Sequence, residues 1–420
     1  MSSWGTLTNS AVAMMAHSHA LGQISTNVSN MNTTAYKAVD THFQTLMTQS
    51  SPRFDFFSTK AVDYRRVSDQ GNILQTGRSL DMAISGDGFF TLNTAFDGSG
   101  ETLYTRDGNF TARIEGDDSY LTTSDGLFLR GWAADGQGNF PEVNTETGSV
   151  ETDQPLVPLQ LNTFDTIAGT PTTAVTLRGN LDARTFNTPQ TMGITVYDAP
   201  AEGATANTAH NMLLTFNNDT TQNNTWNLAL TMTNGGTATL NTTELKFNGQ
   251  GELVQPATQT LQATVNYPNG STGTISLDLK NLTQFAGETR QDEVQIDGMS
   301  EGLLAETYFD SQGVLHARYS NNVTQPLYKL AMADFVAPDN LEALSGNLFR
   351  ISEAAGERRL FGAENSLEGG TGLSPGSLEM SNVDLEDQFS RLMTTQTAYS
   401  SAANVFRTAD EMTQTAAELK

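Results

Sequence analysis

At 420 residues the chain is too long for one small core and suits roughly two to four domains. A hydrophobic share of 37% with frequent Gly, Asn, Thr and Asp describes a turn-rich, β-leaning protein, and a formal charge of −25 argues against nucleic acid or an anionic membrane surface as partner. The absence of cysteine excludes disulfides, thiolate metal sites and cysteine nucleophiles, and no apolar run approaches a transmembrane span.

Residues 1–36 contain no Asp, Glu, Lys or Arg. Leu7, Ala11, Met14, Ser18, Leu21, Ile24, Val28 and Met31 nevertheless follow each other at steps of three or four, the seam of a helix that packs on another. Its remaining face offers Ser, Thr, Asn and Gln, which can be buried at modest cost when hydrogen-bonded. Such a helix suits a crowded assembly better than open water. Because the first basic residue is Lys37, a positively charged signal-peptide region is missing. An extracellular protein of this kind needs a dedicated export route.

The Asn and Thr cluster from Asn27 to Lys37 should end the helix and turn the chain. An extended stretch follows to about Asp69. It contains Phe54, Phe56 and Phe57, which either pack under a loop or touch a neighbouring subunit. From Gly71 onward, short strand signals alternate with Asp-Gly and Gly-rich turns, as at Ser85-Gly86-Asp87-Gly88, Asp107-Gly108 and Asp125-Gly126. Residues 155–282 form a Thr- and Asn-rich section that alternates cleanly and reads as a separate β-domain. Strand signals then resume in the earlier style. A second helical stripe closes the chain through Leu385, Phe389, Leu392, Gln396, Tyr399, Ala403, Phe406, Ala409, Met412, Ala416 and Leu419. Ser381 and Asn382 are placed to cap that helix, and Asp384, Glu386 and Asp387 favour its dipole.

The expected fold is therefore mainly β with terminal α-helices and nested, discontinuous β-domains. A paired, coiled-coil-like helical domain spans 1–32 and 383–420. An extended connector spans 33–70 and 366–382, a first β-domain 71–154 and 283–365, and an inserted outer β-domain 155–282. Neither helical seam is a strong zipper, since both contain small or polar residues. The ends are expected to order only when packed on each other and on further copies.

Four features that resemble chemistry have simpler readings. Gly372-Leu373-Ser374-Pro375-Gly376 matches a serine-hydrolase elbow, but Pro375 lacks the N–H that would serve the oxyanion hole. His17 and His19 stand two apart, so they do not share a helix face. Asp135-Gly136-Gln137-Gly138-Asn139 begins like a calcium loop, with Glu146 at its twelfth position, but Phe140 occupies the site that needs Gly. Gly86-x-Gly88 precedes no helix and is not a phosphate cradle. No catalytic, cofactor or metal residue emerges, and neither an acidic enzyme nor a calcium-dependent adhesin finds its required residues.

Four ordered segments resemble the signatures of the axial proteins of the bacterial flagellum, the rod and hook family. The first holds Asn27, Asn30, Asn32, Thr33, Tyr36 and Lys37, with Ala35 where the family usually has Gly. The second holds Gly86, Gly88, Phe89 and Phe90; the third Thr105, Arg106, Gly108 and Phe110; the fourth Ser381, Asn382, Val383 and Asp384. Leu282-Thr283-Gln284-Phe285-Ala286-Gly287 is similar to a segment of the hook-type members. Length and the insertion favour that type, with the distal rod type as runner-up.

The resemblance implies a structural subunit, not an enzyme, that self-assembles in many copies into a hollow, flexible helical tube passing motor torque from rod to filament. It implies a distal rod protein below, a hook–filament junction protein above, cap and length-control proteins during assembly, and export by the flagellar type III apparatus to the extracellular hook without a cleavable signal. No cofactor, nucleic acid or membrane insertion is implied.

Overall fold

The computed structural model describes residues 3–51, 54–141, 155–185, 188–200, 206–219, 221–362 and 371–418, and side chains within these except at 3–4, 46–51, 54–58 and 416–417. The side chains of Phe54, Phe56, Phe57 and Ala416, and residues Glu146 and Leu419, thus lie outside the described residues. The chain divides into two compact units, one of Met1–Asn162, Thr307–Ala317 and Gln325–Lys420, the other of Thr163–Glu306 and Arg318–Thr324.

In the first unit, helix α1 (Ser3–Ser29) is rich in Ala and free of Pro, and it stops where Asn and Thr take over. Strands β1 (Val39–Ser51) and β2 (Phe54–Arg65) then pair antiparallel from Val39↔Arg65 outward. The expected extended connector is therefore a long β-hairpin. Residues 42–45 of β1 are all exposed, so the hairpin lacks the period-two burial that would have marked it in sequence. Helix α2 (Leu385–Glu418) returns along α1.

The rest of this unit is β-structure woven from two stretches of chain. Strands β3 (Ile73–Gln75), β4 (Met82–Ser85), β5 (Phe89–Asn93), β6 (Thr102–Thr105), β7 (Thr111–Glu115), β8 (Asp118–Thr122) and β9 (Phe128–Ala133) come from the first. The second supplies 377–379 beside β3, 372–375 beside β4, 332–335 beside β5, 348–350 beside β6 and 328–330 beside β9. Thus 372–379, expected as connector, is paired strand. The hydrolase-like Ser374 lies within it opposite Ala83, not at a strand-to-helix elbow. The core is aromatic: Phe89, Tyr104, Phe335 and Phe349 meet edge-on with centroids 4.9 to 5.8 Å apart.

The second unit is a sandwich of two five-stranded sheets. One runs 237–240, 260–266, 272–285, 174–182, 290–296, and the other 190–197, 209–218, 225–232, 244–247, 253–255. Inward-facing Leu177, Val196, Phe216, Trp226, Leu245, Leu261 and Ile275 fill one core between them, and the strict alternation of 260–266 reflects that single buried face. The boundary expected after residue 282 falls inside the strand 272–285, whose neighbour 174–182 also pairs with 290–296. The inserted unit therefore runs on to Glu306. Strand chemistry is alike on both sides of that point, so only pairing reveals the true edge.

Trp226 is fully buried in this second core. Trp226→Ala should cost about 3–5 kcal/mol and lower only the melting transition of this unit. Calorimetry resolving two transitions checks this; equal movement of both would mean the units do not melt separately.

Candidate assembly junction

The four signature segments converge where the terminal helices meet the β-structure of the first unit. Asn27, in the last turn of α1, is fully buried with every polar valence used. Its Oδ1 accepts from the Tyr36 hydroxyl and the Val39 N–H, both at 3.0 Å. Its Nδ2 donates to the Val39 carbonyl at 2.9 Å and to Gln388 Oε1 of α2 at 3.0 Å. One amide thus ties α1, the start of β1 and α2 together. Asn30 closes the turn by donating to the Thr26 carbonyl and accepting from Thr33, while Asn32 is exposed. Ala35 takes φ +54°, the left-handed conformation that suits Gly, and its N–H donates to the Glu379 carbonyl at 2.8 Å.

Beneath this knot lies a buried charge cluster. Lys37 and Glu379 are each 1% exposed and pair at 2.7 Å. The Lys37 ammonium also donates to the Asp69 carbonyl at 2.6 Å, and Glu379 Oε1 accepts from the Gly71 N–H at 2.8 Å. Arg106, likewise buried, stands 3.5 Å from Glu379 Oε2, donates to the Gly86 carbonyl at 2.8 Å and lies over the Phe89 ring. Burial pushes the pKa of both cations down, and Glu379 opposes the shift in each. The second and third signatures are thus parts of one cluster. Phe90 and Phe110 pack edge-on beneath it, Thr105 bonds the Asn347 carbonyl, and Gly108 approaches the Met82 carbonyl too closely for any Cβ. Gly86 and Gly88 both hold positive φ in the tight turn before β5.

The fourth signature works differently from expectation. Asn382 does not cap α2: its Oδ1 accepts from the Ala38 N–H and its Nδ2 donates to the Arg66 and Asp69 carbonyls. Ser381 accepts from the Val383 N–H. The cap is Asp384, which accepts from the N–H groups of Glu386 and Asp387. Asp40 adds a last tie, pairing with Arg66 at 3.2 Å and with Arg391 of α2 at 2.9 Å. Reading the sequence missed Asp40, Asp69, Glu379, Gln388 and Arg391. Glu379 did carry a signal, as the sole charge between Gly369 and Val383.

Along the helices, Ile24 is buried and Leu7, Ala11, Met14, Leu21, Val28 and Met31 are half-buried. On α2 the covered line is Gln388, Thr395, Ala402 and Ala409, a heptad apart. It lies one residue before the expected stripe until the two merge at Ala409. Leu385, Leu392 and Ala403 are half-buried beside it, while Phe389, Gln396, Tyr399, Phe406 and Met412 remain exposed, as do Met393 and Val405. Beyond Gln388 the intrachain seam is made of small residues, and most of the large apolar ones stay exposed. His17 packs against Phe43, and His19 pairs with Asp63 of β2 at 2.8 Å, so the carboxylate its own segment lacks comes from the hairpin. Asp135 accepts from the N–H groups of Gln137 and Asn139, an ordinary turn.

Comparison with known proteins fits this arrangement. Residues 374–419 match the model for the C-terminal region of flagellar basal body rod FlgEFG proteins, 83–155 the flagellar hook protein FlgE/F/G D1 domain, and 163–299 the flagellar basal body protein FlaE D2 domain. The flagellar hook protein FlgE of Rhizobium meliloti is 29% identical, with all of both chains covered. That of Salmonella typhimurium is 27% identical over 95% of this chain and 96% of its own. The solved Helicobacter pylori flagellar hook protein FlgE2 overlaps 73% of this chain and all of its own at 12% identity and a TM-score of 0.40, too loose to carry an argument.

Removing one partner of a buried ion pair leaves an uncompensated charge, typically a loss of about 3–5 kcal/mol. Glu379→Gln should reach that range because it strands two cations. Lys37→Met should cost less because Arg106 still faces Glu379. Urea denaturation of both variants and the double variant checks this. Additive effects would show the pair uncoupled.

Proposed function

We propose that the chain is a hook subunit of the flagellar rod and hook family and polymerises through the open faces of its terminal helices into a hollow, flexible tube that carries motor torque from rod to filament. The observation that supports this reading is the set of large apolar side chains left exposed around α2: Phe389, Met393, Tyr399, Phe406 and Met412. That much exposed apolar surface on a subunit carrying a net charge of −25 implies a partner, since copies repel until enough apolar surface is buried. Each such side chain, once covered, contributes about 1.5–3 kcal/mol.

The junction gives this exposed set a mechanical meaning. Torque carried by an inner layer of helices must reach the β-units, and Asn27, Lys37, Glu379 and Asn382 fasten both helices to the first unit by buried bonds. The subunit acts without catalysis, cofactor or metal. Its neighbours on this reading are a distal rod protein below and a junction protein above, with cap and length-control proteins present during growth. Export is by the type III apparatus. The distal rod alternative loses ground because full-length hook proteins align end to end and the inserted unit is matched by a D2 domain.

Phe389→Ala or Phe406→Ala should abolish tubes in electron micrographs of concentrated protein while the circular dichroism of the β-units stays unchanged. Normal tubes from both variants would remove these side chains from the assembly surface. Replacing 163–306 by a short linker should preserve tubes but change their stiffness or curvature. Loss of all assembly would make the inserted unit a primary contact instead.

A further inference from the structure

A groove of about 230 Å³ opens at the base of the helices, walled by Ile24 of α1, Val39 and Phe43 of β1, and Gln388 and Thr394 of α2. Gln388 is fully buried, and only half of its amide is used: Oε1 accepts from Asn27, while Nε2 has no partner among the described residues. A buried N–H group without an acceptor is costly. The groove's charges are already balanced, since Asp40 at its wall is held by Arg66 and Arg391. Its occupant should therefore be uncharged, offer one acceptor and present an apolar knob.

The outer side of α1 meets that description. Met15, Ser18, Gly22 and Ser25 are spaced at three and four, so they form one stripe, and all four are exposed. By helical rotation this stripe faces away from Ala20, Gln23 and Ile24, the α1 residues that line the groove. Met15, at 65% exposure, is its knob, and no Asp, Glu, Lys or Arg occurs in residues 1–36. Gly22 sits in mid-helix, where it destabilises relative to Ala, and a Cβ there would meet nothing within 4 Å. Nothing among the described residues explains it, whereas close approach by a second molecule does.

We infer that the Met15–Ser25 stripe of α1 in one copy seats in the α1–α2–β1 groove of the next, with Met15 beside Ile24 and Phe43 and a stripe oxygen accepting from Gln388 Nε2. The contact rests on the polymer reading and gives it a defined joint. Stripe and groove are different surfaces of one chain, so the contact is heterologous, the kind that builds an open helical array when its rotation does not close into a ring.

The chain has no cysteine, so introduced thiols report without background. A Met15→Cys variant and a Thr394→Cys variant, mixed, assembled and oxidised, should give disulfide-linked dimers. Neither variant alone should do so, nor should the mixture before assembly. Well-formed mixed tubes with no such dimer would overturn the contact. Gly22→Leu supplies a second test: the monomer should be at least as heat-stable as the unaltered chain, while the concentration needed for tube growth rises tenfold or more. Unchanged growth would overturn the contact even with a stable monomer. If the unaltered chain never polymerised, the polymer reading itself would fail, and this contact with it.

Discussion

A carboxylate out of reach of water holds the first unit together. Glu379 accepts from Lys37 and the Gly71 N–H on one oxygen and faces Arg106 with the other. Each group comes from a different stretch of chain: the turn after α1, the β-structure that follows, and the strand leading to α2. A charge this deeply buried tolerates few alternative arrangements, because any misplacement leaves an ion without water or partner. The cluster contributes position more than net stability. It fixes where the helices leave the β-structure, and the Asn27 and Asn382 amides then set how they leave.

The helices divide their surfaces by residue size. Where α2 lies along α1, the covered line is Gln388, whose amide bonds Asn27, and then Thr395, Ala402 and Ala409, small enough for close approach. The side chains with most to gain from burial are held on the outside. A monomer built for its own stability would do the reverse. On the proposed polymer reading, large apolar groups kept outward supply driving force for association, and the strongly negative charge opposes it until many such groups are covered together.

The β-units answer a different need. The first is closed by strands from both halves of the chain, so the inserted sandwich can be accommodated without opening the helical junction. The sandwich has its own two-sheet core with fully buried Trp226 and Phe216, and does not draw on the aromatic core of the first unit.

Much of this was legible before any coordinates. Charge-free residues 1–36, the apolar periodicity at both ends, and the Asp-Gly turns each reflect local physics: helical rotation, strand alternation and turn conformation. These determined helices at both ends and a nested β-body between. Tertiary structure alone decided the rest. The hairpin 39–65 hid because consecutive residues 42–45 are all exposed, which erases any period-two signal there, and the inserted unit's edge hid because pairing, not composition, sets it. Which α2 stripe faces α1 turned on a one-residue offset that periodicity cannot resolve. Asn382 could cap a helix or bridge three backbone groups, and only the nearness of Ala38, Arg66 and Asp69 selects the second. Local patterns specify elements, whereas partners more than 300 residues apart, such as Lys37 and Glu379, are specified only by the packed chain.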